Sequence, residues 1–96
     1  SDLYHDIVLA PWEAVLGASI VVPSFDGPLK VRIPAGTNHG RQLRVRGHGL
    51  PKGRSGERGD LYVVAEIQLP TEVSEEERGL WEKLSRASRF QPRHAA

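Results

Sequence analysis

The chain has 96 residues, 39% of them hydrophobic, and a net charge of +1 at pH 7, a composition that predicts one globular domain with its own core. Because it contains no cysteine, disulfide bonds and thiolate-bound zinc are excluded. No apolar run approaches the roughly 20 residues that a membrane-spanning helix needs, and because methionine is also absent, we expect a fragment of a longer protein.

The first two predicted elements are a strand and a very short helix. Residues 2–9 alternate so that the odd-numbered, mostly apolar side chains share one face. A helix follows between Pro11 and Gly17, because proline is tolerated in a first turn and glycine readily adopts the left-handed conformation that ends a helix. We expect three apolar residues of this helix to face the core: Trp12, Val15 and Leu16.

Residues 18–23 predict a second strand, which ends at a proline and leads into a turn at Asp26 and Gly27. From residue 31 to residue 50 the sequence then predicts a hairpin, in which two β-runs are joined by a glycine-containing turn. Each run has an apolar face and a cationic face, a pattern typical of a half-buried antiparallel sheet.

Basic residues concentrate in and after this hairpin. Eight of them, against two acidic residues, lie between Pro28 and Asp60, whereas the rest of the chain carries five basic and ten acidic residues. Such a concentration attracts phosphate or an acidic partner, which makes this region a candidate nucleic-acid surface with DNA among its candidate partners. The alternative is an ordinary solvated face, because the sequence offers neither interleaved aromatic residues nor a recognition helix. The candidate contacts are Lys30, Arg32, Arg41, Arg44, Arg46, Lys52 and Arg54.

Residues 51–59, after the hairpin, are too polar and too rich in glycine to bury apolar surface, so we expect a mobile exposed loop. Residues 60–70 predict the strongest strand of the chain. Its odd-numbered residues from Leu61 to Leu69 are apolar and should face the core.

The last predicted element is a helix that begins after Ser74. Ser74 and Glu77 have the spacing of a capping box, in which each side chain bonds the backbone N–H of the other residue. The apolar stripe is narrow, and Gly79 beside it costs about 1 kcal/mol relative to alanine, so the helix needs a surface to pack on. Two alternatives stay open, the sheet of its own chain and another chain. The stripe is Leu80, Trp81, Leu84 and Ala87.

No group of residues predicts catalysis or metal binding. The four histidines lack ligand spacing, no serine has the context of a nucleophile, and the glycine-rich segment lacks the order of a phosphate-binding loop. We therefore expect neither an enzyme nor a resident cofactor.

Six short motifs follow one another between residues 2 and 63. They are Asp2-Leu3-Tyr4, Pro11 to Gly17, Val22-Pro23 with Asp26-Gly27, Ile33 to Thr37 with Gly40, Leu43 to Pro51, and Gly59 to Val63. In this order they resemble the C-terminal domain of DnaJ-type co-chaperones. The resemblance implies a mainly β, antiparallel, sandwich-like domain with one short helix near residues 11–16 and a C-terminal α-helix.

DnaJ-type proteins carry two tandem copies of this domain, and the closing helix resembles the one that follows the second copy and pairs two protomers. The resemblance thus implies a second-copy domain at residues 1–70, a dimerisation helix at 71–90 and a disordered tail at 91–96. The lack of cysteine resembles the bacterial type without a zinc-finger region. The implied homodimer interface is Leu80, Trp81 and Leu84.

The function that the resemblance implies is indirect. The family passes unfolded polypeptide clients to a DnaK-type chaperone in the cytoplasm, here the bacterial cytoplasm or nucleoid. It stimulates the ATPase of that chaperone through a His-Pro-Asp sequence in another domain, which this chain lacks. We therefore expect a dimerisation and client-handling module.

A client site in this copy of the domain would use apolar positions on the early strands, where an extended peptide can add to a sheet edge. The candidates are Ile7 and Val22. The alternative is that both residues belong to the core.

Overall fold

The computed structural model describes residues 1–93, which form five strands and two helices. The predicted mainly β fold with one short helix and a C-terminal helix is confirmed. No helix in this range is both long and apolar enough to cross a membrane. Disorder was expected for the tail at residues 91–96, of which residues 94–96 lie outside the described residues. The elements are β1 (Leu3–Leu9), α1 (Pro11–Leu16), β2 (Ala18–Ser24), β3 (Gly27–Ile33), β4 (Gln42–Val45), β5 (Leu61–Ile67) and α2 (Glu75–Ala87).

The strands form two sheets. β5 lies at the centre of a three-stranded sheet in the order β1-β5-β4, and β2 pairs with β3 in a two-stranded sheet. The β2–β3 and β4–β5 pairs are antiparallel, as expected. β1, however, runs parallel to β5, with Leu3 opposite Leu61 and Leu9 opposite Ile67. A parallel pair needs a long connection, and here that connection contains every element between the two strands.

The hairpin predicted for residues 31–50 does not form. Its first arm lies in β3 and pairs with β2, whereas its second arm, β4, pairs with β5 in the other sheet. The residues between the arms dock on α1 instead, because the N–H groups of Gly36 and Thr37 both donate to the carbonyl of Ala14 at 2.9 Å. Thr37 is buried, and its hydroxyl donates to the carbonyl of Pro34 at 2.5 Å. These bonds hold the chain where it crosses from one sheet to the other.

The core combines apolar residues of both sheets with one residue of α1. The odd-numbered core face predicted for β5 is confirmed at Leu61, Val63 and Ala65, which are all buried. Leu69 differs, because β5 ends at Ile67 and the side chain beyond it is exposed. The members of the core are Ile7, Leu9, Ala14, Val22, Val31, Ile33, Leu61, Val63 and Ala65.

Helix α1 buries a residue other than those expected. Ala14 is buried, whereas the three predicted core residues, Trp12, Val15 and Leu16, are exposed, so that prediction is wrong. The backbone of residues 36–37 docks on the helix at Ala14. The side that faces the core therefore accommodates a small side chain, and the large ones stay outside.

The segment between β4 and β5 is anchored at its end. Residues 51–57 are exposed, as expected, but Pro51 and Arg58 form a β-bridge. The guanidinium of Arg58 donates to both carboxylate oxygens of Asp26 at 2.8 and 2.9 Å, and to the carbonyl of Gly49 at 2.8 and 3.0 Å. The prediction of a wholly mobile loop is therefore wrong at Arg58, which joins this segment to the turn between β2 and β3.

Candidate interaction surface on helices α1 and α2

Helix α2 carries apolar residues that its own chain leaves uncovered. No residue of this helix is buried. Leu80 and Leu84 are 59% and 53% exposed, and Trp81 is partly buried. The helix therefore does not pack its apolar stripe on the sheet of its own chain, which was one of the two alternatives.

Two tryptophans make the contact between the helices. The ring centres of Trp12 in α1 and Trp81 in α2 lie 6.5 Å apart, and the ring planes are inclined by 42°. This geometry is within the range of favourable aromatic pairs. The apolar residues around this contact form one surface on both helices, here called the helix patch. The helix patch consists of Trp12, Val15, Leu16, Leu80, Trp81 and Leu84.

Two cavities lie on the helix patch, and both are lined by Trp12, Trp81 and Leu84. The first, of about 340 Å³, extends along α2, and the second, of about 250 Å³, extends along α1. Their walls are almost wholly apolar. Such a surface binds an apolar ridge of a partner, and it presents no arrangement of groups for acid–base or nucleophilic chemistry.

Trp81 is held by its own helix. Its indole N–H donates to a carboxylate oxygen of Glu77, one turn earlier, at 2.9 Å. The hydroxyl of Ser74 accepts from the backbone N–H of Glu77 at 3.1 Å, which confirms one half of the predicted capping box. The other half is wrong, because the Glu77 side chain bonds forward to Trp81 and not back to Ser74.

The structure brings together the three residues predicted for the interface, Leu80, Trp81 and Leu84. It adds the exposed side of α1, which the sequence had led us to assign to the core. The spacing of that side was visible, because its residues follow the i, i+3, i+4 pattern of a helix face. The sequence carried no signal that this face points outward. The added residues are Trp12, Val15 and Leu16.

The two candidate client contacts belong to the core. Ile7 is 5% exposed and Val22 is 1% exposed, so neither side chain can touch an extended peptide in this conformation. The structure agrees with the alternative interpretation of these positions. The exposed apolar neighbours on the same strands are Val8 and Val21.

The candidate nucleic-acid contacts are divided between the two sheets. Lys30 and Arg32 lie at exposed positions of β3, whereas Arg44 lies in β4, which belongs to the other sheet. The predicted continuous cationic face of a hairpin is therefore wrong. Of the remaining four candidates, all exposed, two adjoin β4 and two lie in the segment between β4 and β5: Arg41 and Arg46, and Lys52 and Arg54.

Arg44 also has an acidic partner. Its Nε and Nη2 atoms donate to one carboxylate oxygen of Asp60 at 2.7 and 2.6 Å, and the other oxygen accepts from the Gly47 N–H at 2.9 Å. The hydrogen bonds from Gly47 and from Arg44 hold the pKa of Asp60 below its ordinary value, and the bond to Asp60 raises the pKa of Arg44. Because the pair ties the end of β4 to the start of β5, we assign it a structural role.

The sequence matches the DnaJ C terminal domain family over residues 1–70. It is 42% identical over 92 residues to a Curved DNA-binding protein of Pseudomonas syringae pathovar tomato, and the matched residues make up 96% of this chain and 29% of that protein. It is 45% identical over 84 residues to a Chaperone protein DnaJ of Synechococcus elongatus, and here the matched residues make up 88% of this chain and 29% of that protein. A Curved DNA-binding protein of Coxiella burnetii is 34% identical over 92 residues, covering 96% of this chain and 28% of that protein.

The chain thus spans less than a third of the length of these relatives. The predicted resemblance to DnaJ-type proteins is confirmed by these matches. The family match includes every strand of both sheets and helix α1. The chain belongs to the DnaJ C-terminal domain family.

Proposed function

We propose that this chain is the second C-terminal domain and the dimerisation helix of a DnaJ-type co-chaperone. In this proposal, residues 1–70 form the domain and residues 71–90 the dimerisation segment. The parent protein hands unfolded polypeptides to a DnaK-type ATPase chaperone in the bacterial cytoplasm, and this chain supplies dimerisation and client handling. The observation that carries the proposal is the helix patch, an uncovered apolar surface on two neighbouring helices.

The helix patch suits a second copy of the same chain. A twofold axis brings the same surface of both copies together, so each residue is used twice. Leu80 and Leu84 are 59% and 53% exposed, so covering the rest of each side chain contributes roughly half of the about 1.5–3 kcal/mol that full burial of a leucine gives. Over both copies, the burial of four leucines and two tryptophans stabilises the dimer by an amount comparable with the lower end of the entropic cost of association, which is about 4–15 kcal/mol.

Sedimentation of the 96-residue chain at tens of micromolar tests the dimer. We expect the wild type to sediment as a dimer, because burial of the helix patch offsets the cost of association. Trp81→Asp should give a monomer that keeps the β-sheet signal in circular dichroism, because a charge then lies in the middle of the apolar surface.

The matched control is Lys83→Asp, which introduces the same side chain about 200° round the helix from Trp81. This variant should remain dimeric. A monomeric wild type would reject the dimer, and loss of the dimer in both variants would show that helix charge, not contact at Trp81, controls association.

Client handling has a separate test. A protein kept unfolded by reduction and alkylation of its cysteines should bind the chain, and the same protein in its native form should not. Equal binding of both forms, or of neither, would contradict the client-handling part of the proposal.

A second candidate function is DNA binding. Relatives in two genera are named Curved DNA-binding protein, and six of the seven candidate contacts, all except Arg44, form no ion pair within residues 1–93. Binding dominated by phosphate contacts should weaken steeply between about 50 and 200 mM salt. A titration of a curved duplex over that range tests the idea, and absence of binding at the low end would reject it.

A further inference from the structure

The outer face of the three-stranded sheet is a second uncovered surface. Tyr4 of β1 and Tyr62 of β5 lie opposite each other in the register, and their rings stack with centres 4.9 Å apart and planes inclined by 14°. Tyr4 is 63% exposed, and Val8, on the same side of β1, is 53% exposed. This sheet face is therefore aromatic at the end where both strands begin.

The same face becomes acidic further along both strands. A cavity of about 290 Å³ is lined there by Asp6, Glu66 and His39. Neither carboxylate forms an ion pair with any residue between 1 and 93. The Nδ1 atom of His39 accepts a hydrogen bond from the Ile67 N–H at 3.0 Å, so that atom donates to neither carboxylate. The cavity thus carries two carboxylates without a cationic partner.

The chemistry of the cavity selects a cationic side chain. The described part of the chain holds no group of three ligands placed to bind a metal ion. Phosphates of a nucleic acid would be repelled by the two carboxylates. A lysine ammonium or arginine guanidinium, in contrast, has several N–H donors and can bond both carboxylates at once.

We propose that this face docks an extended segment of an unfolded polypeptide in which a lysine or arginine lies two residues from an aromatic residue. Asp6 and Tyr4 are two residues apart, about 7 Å along a strand, and side chains i and i+2 of an extended peptide have the same spacing. The cation enters the acidic cavity while the aromatic ring packs on the exposed ring of Tyr4. This inference rests on the client-handling part of the proposed function and specifies which clients bind. The docking face consists of Tyr4, Asp6, Val8, Tyr62, Val64 and Glu66.

The probe is a fluorescein-labelled peptide of glycine and serine that contains one Lys-x-Phe unit, titrated with the 96-residue chain at low salt. Fluorescence anisotropy should show saturable binding. Replacing the lysine of the peptide by glutamate should weaken binding about five- to tenfold, the effect expected for partly exposed ion pairs to two carboxylates. The double variant Asp6→Asn with Glu66→Gln should also weaken binding of the lysine peptide, by a smaller factor, because it removes the attraction without adding repulsion.

Tyr4→Ser tests the aromatic half of the face. It should weaken binding of the Lys-x-Phe peptide, and it should leave binding of a Lys-x-Ser peptide unchanged. The matched control is Glu72→Gln, which removes an exposed acidic charge between β5 and α2 and should bind the peptide as the wild type does. Every variant should keep the circular dichroism and sedimentation of the wild type, because none of these residues lies on the helix patch.

Equal binding of the lysine and glutamate peptides, or wild-type affinity of the Asp6→Asn, Glu66→Gln variant, would overturn the inference. Absence of binding by both peptides would overturn it as well. The unfolded-protein assay separates these results from failure of the proposed function, because client handling stands if the unfolded protein still binds. Loss of binding in Glu72→Gln would also overturn it, by showing that total charge and not this face decides affinity.

Discussion

The indole N–H of Trp81 donates to the carboxylate of Glu77 at 2.9 Å, so the only polar atom of that side chain finds its partner within its own helix. What Trp81 presents to its surroundings is apolar ring surface, part of which packs on Trp12. A donor left without an acceptor at an apolar interface would weaken association. The Glu77 carboxylate removes that penalty before any partner binds.

Glu77→Ala should weaken the proposed dimer. The substitution leaves the indole N–H of Trp81 without its acceptor in both protomers, at an expected cost of about 1 kcal/mol each, or roughly 30-fold in the dissociation constant. Sedimentation measures this change directly. Glu77→Gln is the control, since its amide oxygen still accepts the bond, and it should stay close to the wild type. If both variants weaken the dimer equally, the negative charge near the start of α2, not the hydrogen bond, is the important property.

Gly79→Ala should stabilise helix α2. A Cβ atom at this position would have no heavy atom within 4 Å, and alanine in a helix is favoured over glycine by about 1 kcal/mol. Circular dichroism should show a helical signal that persists to higher temperature. If the helix gains stability while the dimer dissociates more readily, the partner chain packs against residue 79, and the helix patch as defined above is too small.

Gly59→Ala should have the opposite effect on the whole domain. A Cβ atom there would overlap the carbonyl group of Ser1 and crowd the side chain of Asp2, so backbone must move. We expect a loss of roughly 1–3 kcal/mol of unfolding free energy, as for other overpacked sites, measured by urea unfolding. Gly79→Ala serves as the matched control, because the same added methyl group meets open space. A Gly59→Ala variant as stable as the wild type would show that the segment at Ser1 is not fixed in this position.

Asp60→Asn should make stability less dependent on pH. The hydrogen bonds from Gly47 and Arg44 lower the pKa of Asp60 in the folded protein, so folding favours the ionised carboxylate. The wild type thereby gains stability that is fully present above the unfolded-state pKa, near about 4, and is lost as pH falls through the lower folded-state pKa.

Urea unfolding of both proteins at several pH values measures this contribution. The wild type should have the higher midpoint at neutral pH, and the difference should shrink as pH falls below about 4. The asparagine oxygen can still accept the hydrogen bond from Gly47. The pH-dependent part of the difference in midpoint therefore measures the contribution of the carboxylate charge. A difference that stays constant across the acid range would contradict the assignment to Asp60.

Elements that carry their own local signal could be predicted from the sequence. Alternation identified β1 and β5, Pro11 and Gly17 bounded α1, and Ser74 marked the start of α2. Pairing could not be predicted in the same way, because alternation defines which face of a strand is apolar but not which strand lies beside it. The apolar faces of β3 and β4 are as compatible with one hairpin as with the two sheets that form.

Only the α2 half of the helix patch could be predicted from the sequence. The stripe of α2 was visible in the sequence and stands exposed in the structure at Leu80 and Leu84. The α1 half was assigned to the core because a short helix with large apolar residues gives no signal for which side is covered. Which side of α1 is covered depends on Gly36 and Thr37, because their backbone docks at Ala14 from a distant part of the chain.

The parallel pairing of β1 with β5 has a consequence for synthesis on the ribosome. Leu3 finds its partner only at Leu61, so nearly the whole domain must emerge before the three-stranded sheet can close. Contacts this distant in sequence slow folding, and until β5 arrives, the apolar face of β1 is exposed to aggregation. During that interval the nascent domain is itself an unfolded polypeptide, of the kind that chaperones bind.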